Sequence, residues 1–571
     1  MLEEQQKKWK IISVAMGYSS IIELIQKYFL PLIGVVVFVF ILFRIFFRQL
    51  PLIYGVLILI VGIGISVLYP VMIMEKKKAS IHNNLHLFIT YAGTISTMKI
   101  SRGMLFRRIS QKKVFGEISE ISEKILYLSR GWNIGFAKTC RTVADILPSK
   151  ILGDFLDRFA VMMDFGENLE AFLISEQTSV LDDYSTEYKN SLELIRLLQD
   201  VFVSLTMSLS FGLAIGLLIP LLMGISINTV VLIAIAAITL MDMIMLVIVK
   251  AVIPDDPLYH KLDIKDDGTK RIKLLFIILM PISVVLFFPL FFLFKLQFLM
   301  AVAAASSPLL FLGWYAKTEE EIIFRRDIAF PSFIRTLGAA IEVRSGAVIQ
   351  SLSALRIHDF GLLNKMVINL YRRLRLGSEK FTCWMYFAAE TGSNLIHHFS
   401  RIFAESIYLG GNAEKIGVII SNNFQRLLSL RKLKLQLASG LRGAFYGSLI
   451  GLSAVAFVTA QIVKILAELF STDYGTESTF TISSILGTES ATSLFVNMDQ
   501  IFMFVGVMII VHAIVSSILL KIVDGGSLYA SLFDIVIMLW LGALVAYFTP
   551  HLIDYVLPDL SLGLNETTPV T

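Results

Sequence analysis

The sequence predicts an all-α integral membrane protein, with about nine transmembrane helices and two repeated cytoplasmic helical-bundle domains. Three observations carry this reading. The 571-residue chain is 56% hydrophobic and only 17% charged, too apolar for an ordinary soluble protein. It holds nine nearly uncharged stretches, at roughly 29–47, 51–74, 201–223, 227–249, 273–294, 297–316, 443–467, 501–520 and 528–549. Each is long enough to span a hydrocarbon core of about 30 Å as a helix. Finally, the polar block Lys317–Arg442 repeats an earlier one near 75–200, and each is followed by an apolar hairpin.

Taken in order, residues 1–74 comprise a short amphipathic helix with Trp9 and Ile11-Ile12 available to rest on a membrane surface, then two spans. No cleavable signal pattern is evident in residues 1–28, so the first span is expected to remain in the mature protein. The first cytoplasmic domain, 75–200, is read as helical because Ile118, Ile121, Ile125 and Leu128 recur at three and four. Its charge is segregated: basic from 75 to 150, acidic from 151 to 200. That pattern suits two different partners or a self-complementary assembly.

A hairpin, 201–249, leads to a Pro- and Asp-rich linker, 250–272, and a second hairpin, 273–316. The second domain, 317–442, contains Phe330-Pro331-Ser332-Phe333-Ile334-Arg335, with Pro331 read as sitting in a first helical turn. Its last stretch, 422–442, sets Arg426, Arg431, Lys432, Lys434 and Arg442 among leucines, a pattern that reads as headgroup anchoring of the next span. Spans at 443–549 and an external tail, 550–571, complete the chain.

Lys and Arg concentrate on one side of this topology, whereas 468–500 and 550–571 carry neither. The positive-inside rule therefore assigns both blocks to the cytoplasm and those two segments to the outside, within the cell membrane. Asn565-Glu566-Thr567 matches a glycosylation triplet on the outer side. Cys140 and Cys383 fall in the blocks, where thiols stay reduced and pack.

The repeat has internal landmarks. Phe88-Ile89 to Gly93 matches Phe333-Ile334 to Gly338, and Ser101-Arg102-Gly103 matches Ser345-Gly346. Thr139-Cys140 matches Thr382-Cys383, and Gly166-Glu167-Asn168-Leu169-Glu170 matches Gly410-Gly411-Asn412-Ala413-Glu414. A glycine followed by Asn suits a helix–helix corner, since glycine takes positive φ and Asn caps the next helix.

Catalytic chemistry is missing from the pattern. No Gly-Lys dipeptide occurs, which removes a P-loop, and there is no His-Glu-x-x-His or Cys-x-x-Cys. No catalytic, cofactor or metal site is expected, and nothing points to nucleic acid. Asp242, Lys464, His512 and Asp534 lie within spans. Such charges are functional candidates, and Asp242 with Asp534 supports the alternative of a secondary transporter. Transporter repeats, however, normally lie in the spans. Here the repeat lies in the polar blocks.

The Phe-Pro-x-Phe-Ile-Arg motif, the Gly-x-Asn-x-Glu corner and the block-plus-hairpin unit resemble the type II secretion system F domain. Two copies with extra spans are similar to the archaeal platform proteins of type IV pilus-like filaments, those of the archaellum most closely. The resemblance covers most of 75–520; the first copy departs from it, with Leu87 where the second has Ser332 and no proline. It implies a non-enzymatic, homodimeric platform in membrane lipid that couples a cytoplasmic hexameric ATPase to the insertion of pilin or archaellin subunits. The basic residues Arg107, Arg108, Lys112, Lys113, Arg372, Arg373, Arg375 and Lys380 are then the expected ATPase contacts.

Overall fold

The computed structural model describes all residues except 1, 19, 47–51, 99, 132–133, 224–226, 265–266, 473–497 and 557–571; of 42–63 it describes at most the backbone. The expected outer segment, most of the tail and Asn565 therefore lie outside the described residues. Among the described residues the chain is helical, with one isolated bridge between Tyr259 and Ser393.

In chain order the helices are α1 (Leu2–Ala15), α2 (Leu30–Phe46) and α3 (Leu52–Ser96). The first block continues with α4 (Arg102–Ser110), α5 (Glu117–Gly131), α6 (Phe136–Ala144), α7 (Lys150–Phe165) and α8 (Leu169–Met223). Next come α9 (Ile227–Val252) and α10 (Asp267–Phe292). The second block holds α11 (Phe298–Val343), α12 (Val348–Leu355), α13 (Asn364–Arg375), α14 (Lys380–Thr391), α15 (Asn394–Tyr408) and α16 (Ala413–Thr472). The last two are α17 (Met498–Asp524) and α18 (Ser531–Val556).

The repeat is visible element by element. The polar end of α3 corresponds to that of α11, and α4 through α8 follow the same order as α12 through α16. Gly166 (φ +69°) and Gly410 (φ +88°) both take left-handed backbone at the corner before the last long helix. Asn168 then caps α8, its Oδ1 accepting from the Glu170 amide at 2.9 Å, and Asn412 caps α16 by accepting from the Lys415 amide at 2.8 Å. Ser101 and Ser345 are not equivalent. Ser101 is the N-cap of α4 and Gly103 lies inside that helix, whereas Ser345 (φ +50°) and Gly346 (φ +87°) form the turn after α11.

Gly93 and Gly338 act differently from corner glycines: they let long helices cross. A Cβ on Gly338 would lie 2.5 Å from the Ala413 carbonyl and 3.1 Å from Gly417 Cα. At Gly93 it would lie 1.9 Å from Gln177 Nε2. In both repeats, therefore, the helix that opens the block touches the helix that closes it.

Seven described helices are long and apolar enough to cross a membrane, and they coincide with the third to ninth expected spans. The expected boundaries near 200, 316 and 442 fall inside single helices: α8, α11 and α16 run without a break from block into span. At 1.5 Å per residue the 60-residue α16 is about 90 Å long. Pro331 sits in the interior of α11, not in a first turn. The missing amide leaves the Asp327 carbonyl without its helical donor. The helix continues because its Phe330, Phe333, Ile334 and Leu337 are wholly buried in a core shared by both blocks.

Candidate functional site: a basic groove between the repeats

The eight expected contact residues do not form one surface. Arg372 and Arg375 are exposed on α13. Arg373, between them, pairs with Glu390 and stacks 5.1 Å over the Tyr386 ring. Arg107 and Lys113 are exposed, whereas Lys112 pairs with Glu405 of the other block with only 18% of its side chain exposed. Arg108, Lys112 and Lys380 do come together, in a groove of about 740 Å³ between the repeats.

Three local structures build that groove. Ser101 caps α4, accepting from the Met104 amide at 3.3 Å, and α4 carries Arg107 and Arg108 in its last turn, where cations suit the helix dipole. Glu379 caps α14, accepting from the Phe381 amide at 3.0 Å, and presents Lys380, Phe381 and Trp384. Ser393 caps α15, accepting from the Ile396 amide at 3.2 Å. His397, Arg401 and Glu405 follow at four-residue spacing, so one helix face lines the groove.

Glu405 joins the repeats at the groove floor. It accepts from Lys112 and, at 2.8 Å, from the Tyr91 hydroxyl, and Lys112 lies 5.1 Å over the Tyr91 ring. Burial, helped by the Glu405 charge, pushes the Tyr91 hydroxyl well above its ordinary range. Lys380 lies 4.8 Å from the centroid of the Tyr408 ring, which Phe381 meets edge-on at 5.8 Å. Burial, with His398, His260 and Arg401 nearby, depresses His397 to about 3, so its ring is neutral near pH 7. A smaller cavity of about 500 Å³ shares Arg108, Lys112, Arg401 and Glu405 and adds Lys113.

Most residues of the expected headgroup-anchoring run turn inward or pair within the chain. Arg431 is buried and grips Asp256 of the 250–272 segment through Nε at 2.9 Å and Asp327 of α11 through Nη1 at 2.7 Å. Ser393 also donates to Asp327. Burial lifts Asp327 to about 6, and Arg431 opposes that rise. Asp256 is held below the usual carboxylate range: burial works against this, but the Arg431 charge and hydrogen bonds prevail. The linker is thus docked, and Asn394 N also donates to Leu258 O at 2.9 Å. Arg426 pairs with Asp182 at 2.6 Å and Lys415 with Glu170 at 2.7 Å. Part of the acidic half of the first block is therefore met by the basic helix of the second.

The intramembrane charges are also paired. Asp242 accepts from His512 at 3.0 Å, and both are fully buried. Asp534 accepts from Lys317 at 3.2 Å, Arg442 at 3.0 Å and Tyr446 at 2.6 Å. It therefore sits at the level where α11 and α16 leave their apolar halves. Among the described residues no cluster of His, Cys, Asp and Glu is arranged to hold a metal. Sequence reasoning passed over Tyr91, Trp384, Glu405 and Tyr408; the i, i+4 spacing of His397, Arg401 and Glu405 was the available signal.

Two helical blocks with the same order of elements, continuous with apolar helices and joined by ion pairs, define a multi-pass membrane protein. The chain is 32% identical over 529 residues to Flagella accessory protein J of Methanocaldococcus jannaschii, covering 91% of this chain and 92% of that protein. It is 29% identical over 534 residues to Flagella accessory protein J of Methanococcus voltae, covering 92% and 94%. The chain belongs to this Flagella accessory protein J family of the archaeal archaellum. No protein-family profile matches it, and no solved structure does.

Proposed function

We propose that this protein is the membrane platform for archaellum assembly, coupling a cytoplasmic hexameric ATPase to the insertion of archaellin or pilin-like subunits. It works as a homodimer, carries out no catalysis itself and keeps both blocks in the cytoplasm. The observation that carries this reading is mechanical. Helices α8, α11 and α16 run unbroken from blocks into apolar spans, and the blocks are joined by Lys112–Glu405, Lys415–Glu170 and Arg426–Asp182. A push on either block is then transmitted as rigid-body motion into the membrane. The family supplies the archaellum context, and the Lys/Arg bias supplies the orientation. Asp242 and Asp534 have protein partners, so no transported ion is needed to account for them.

The exposed cations Arg372 and Arg375 of α13 are the ATPase contact; Arg373 is left out because it serves Glu390, and Lys380 because it lines the groove over Tyr408. Exposed pairs are each worth about 0.2–1 kcal/mol, so both must be changed together. The double variant R372E/R375E is expected to insert normally into the membrane yet lose ATPase binding in pull-downs and filaments in micrographs. Wild-type binding should itself weaken with salt, since screening acts within about 8–10 Å. Normal filament numbers in the double variant would remove this surface from the mechanism.

A further inference from the structure

The groove between the repeats is divided along its length. At one end, Arg108 and Arg401 flank the Lys112–Glu405 pair, and the adjoining cavity of about 500 Å³ adds Lys113. Arg108, Arg401 and Lys113 have no ion-pair partner among the described residues, and Glu405 is already engaged by Lys112 and Tyr91. The other end is walled by Phe381, Trp384 and Tyr408, with Lys380 over the Tyr408 ring. Phe381 is 49% exposed, so part of its ring is open to a ligand. A volume of about 740 Å³ is in the range of sites that enclose a small molecule, about 300–1,000 Å³.

We infer that this groove is a binding site for a nucleoside di- or triphosphate, its phosphates held by Arg108, Arg401 and Lys113 and its base lying against Phe381. Guanidinium groups match phosphate oxygens in a bidentate fork, and a planar base is the ring that an aromatic wall retains. A lone inorganic anion would leave the aromatic end empty, and an apolar ligand would leave three cations uncompensated. Because the groove floor is the contact between the repeats, a bound nucleotide would bridge α4 of one block to α15 of the other. Nothing is hydrolysed; the nucleotide acts as a ligand.

The test uses the full-length protein in lipid nanodiscs, free of any ATPase, titrated with a fluorescent ADP analogue and competed with unlabelled probes. Saturable binding is expected, displaced by ADP, displaced at least tenfold less well by inorganic tripolyphosphate, and not displaced by adenosine. R108Q/R401Q should weaken binding at least tenfold with an unchanged melting temperature. Phe381→Ala, at an exposed position, should abolish the preference for ADP over tripolyphosphate while keeping tripolyphosphate affinity. It serves as the second variant if the double substitution fails to fold. Absence of saturable binding, equal potency of tripolyphosphate, indifference to both sets of substitutions, or displacement only by polyglutamate or anionic vesicles would each overturn the inference. No ATPase is present, so failure here leaves the platform reading intact, and failure of the α13 charge reversal leaves this site intact.

Discussion

Arg431 is one guanidinium facing two carboxylates, and the two are not equivalent. Asp256 takes two of its nitrogens and Asp327 one, which is why Asp256 is held low while Asp327 rises to about 6 under burial. The group ties the 250–272 segment, α11 and α16 at one buried point. Removing the cation strands two buried carboxylates, a far larger cost than losing an exposed pair. Arg431→Met is therefore expected to lower unfolding free energy by about 3–5 kcal/mol, read as a large drop in melting temperature in detergent. Replacing Asp256 and Asp327 by Asn together with Arg431→Met should recover part of that loss, because neither carboxylate is then left without its cation, although Lys434, buried beside Asp256, keeps its charge. Equal melting of wild type and the single variant would show that water reaches the site.

Between residues and the whole chain lie the helix crossings. In the second repeat α11 and α16 meet at Gly338 and Gly417, where a Cβ on Gly417 would stand 3.0 Å from the Ile334 carbonyl. Backbone cannot move aside as a flexible side chain can. Gly338→Val is expected to cost about 1–3 kcal/mol or more through overpacking and to lower the yield of folded protein in size-exclusion profiles. Gly103→Ala is the control: its Cβ would meet only the movable ends of side chains, the Phe136 ring tip at 3.3 Å and Arg130 Nη2 at 3.5 Å, so melting within a degree or two of wild type is expected. If Gly338→Val melts like the control, the crossing is looser than the backbone distances require.

For the molecule as a whole, the repeats behave as one body because charge and core both cross the boundary. Asn423 donates to Thr90 at 2.9 Å and to Gln177 at 2.8 Å, adding a buried polar link to the shared apolar core. Glu405 is the joint whose loss affects both sides, since Lys112 and Tyr91 both depend on it. In Glu405→Ala, hydrogen exchange should accelerate together in 105–115 and 397–409, with α7 and α13 unchanged. Acceleration confined to 397–409 would mean that the repeats are held elsewhere.

Hydropathy and periodicity by themselves determined much of this protein. The apolar helices at seven expected spans, the helical class, the repeated order of elements and the glycine–asparagine corners depend on neighbours within a turn or two, or on averages over about 20 residues. The family resemblance rested on the same local patterns, and two relatives matched over most of their length bear it out. Tertiary structure alone decided what the charges are for. Lys112 and Glu405 are 293 residues apart, and Arg431 and Asp256 are 175 apart, so no local window links them. A lysine bound for a buried carboxylate and one bound for a partner protein look alike in sequence, because their difference lies in which surface the fold covers. Pro331 shows the same limit for backbone: a proline that ends an isolated helix is carried through where buried packing on both sides outweighs one lost hydrogen bond.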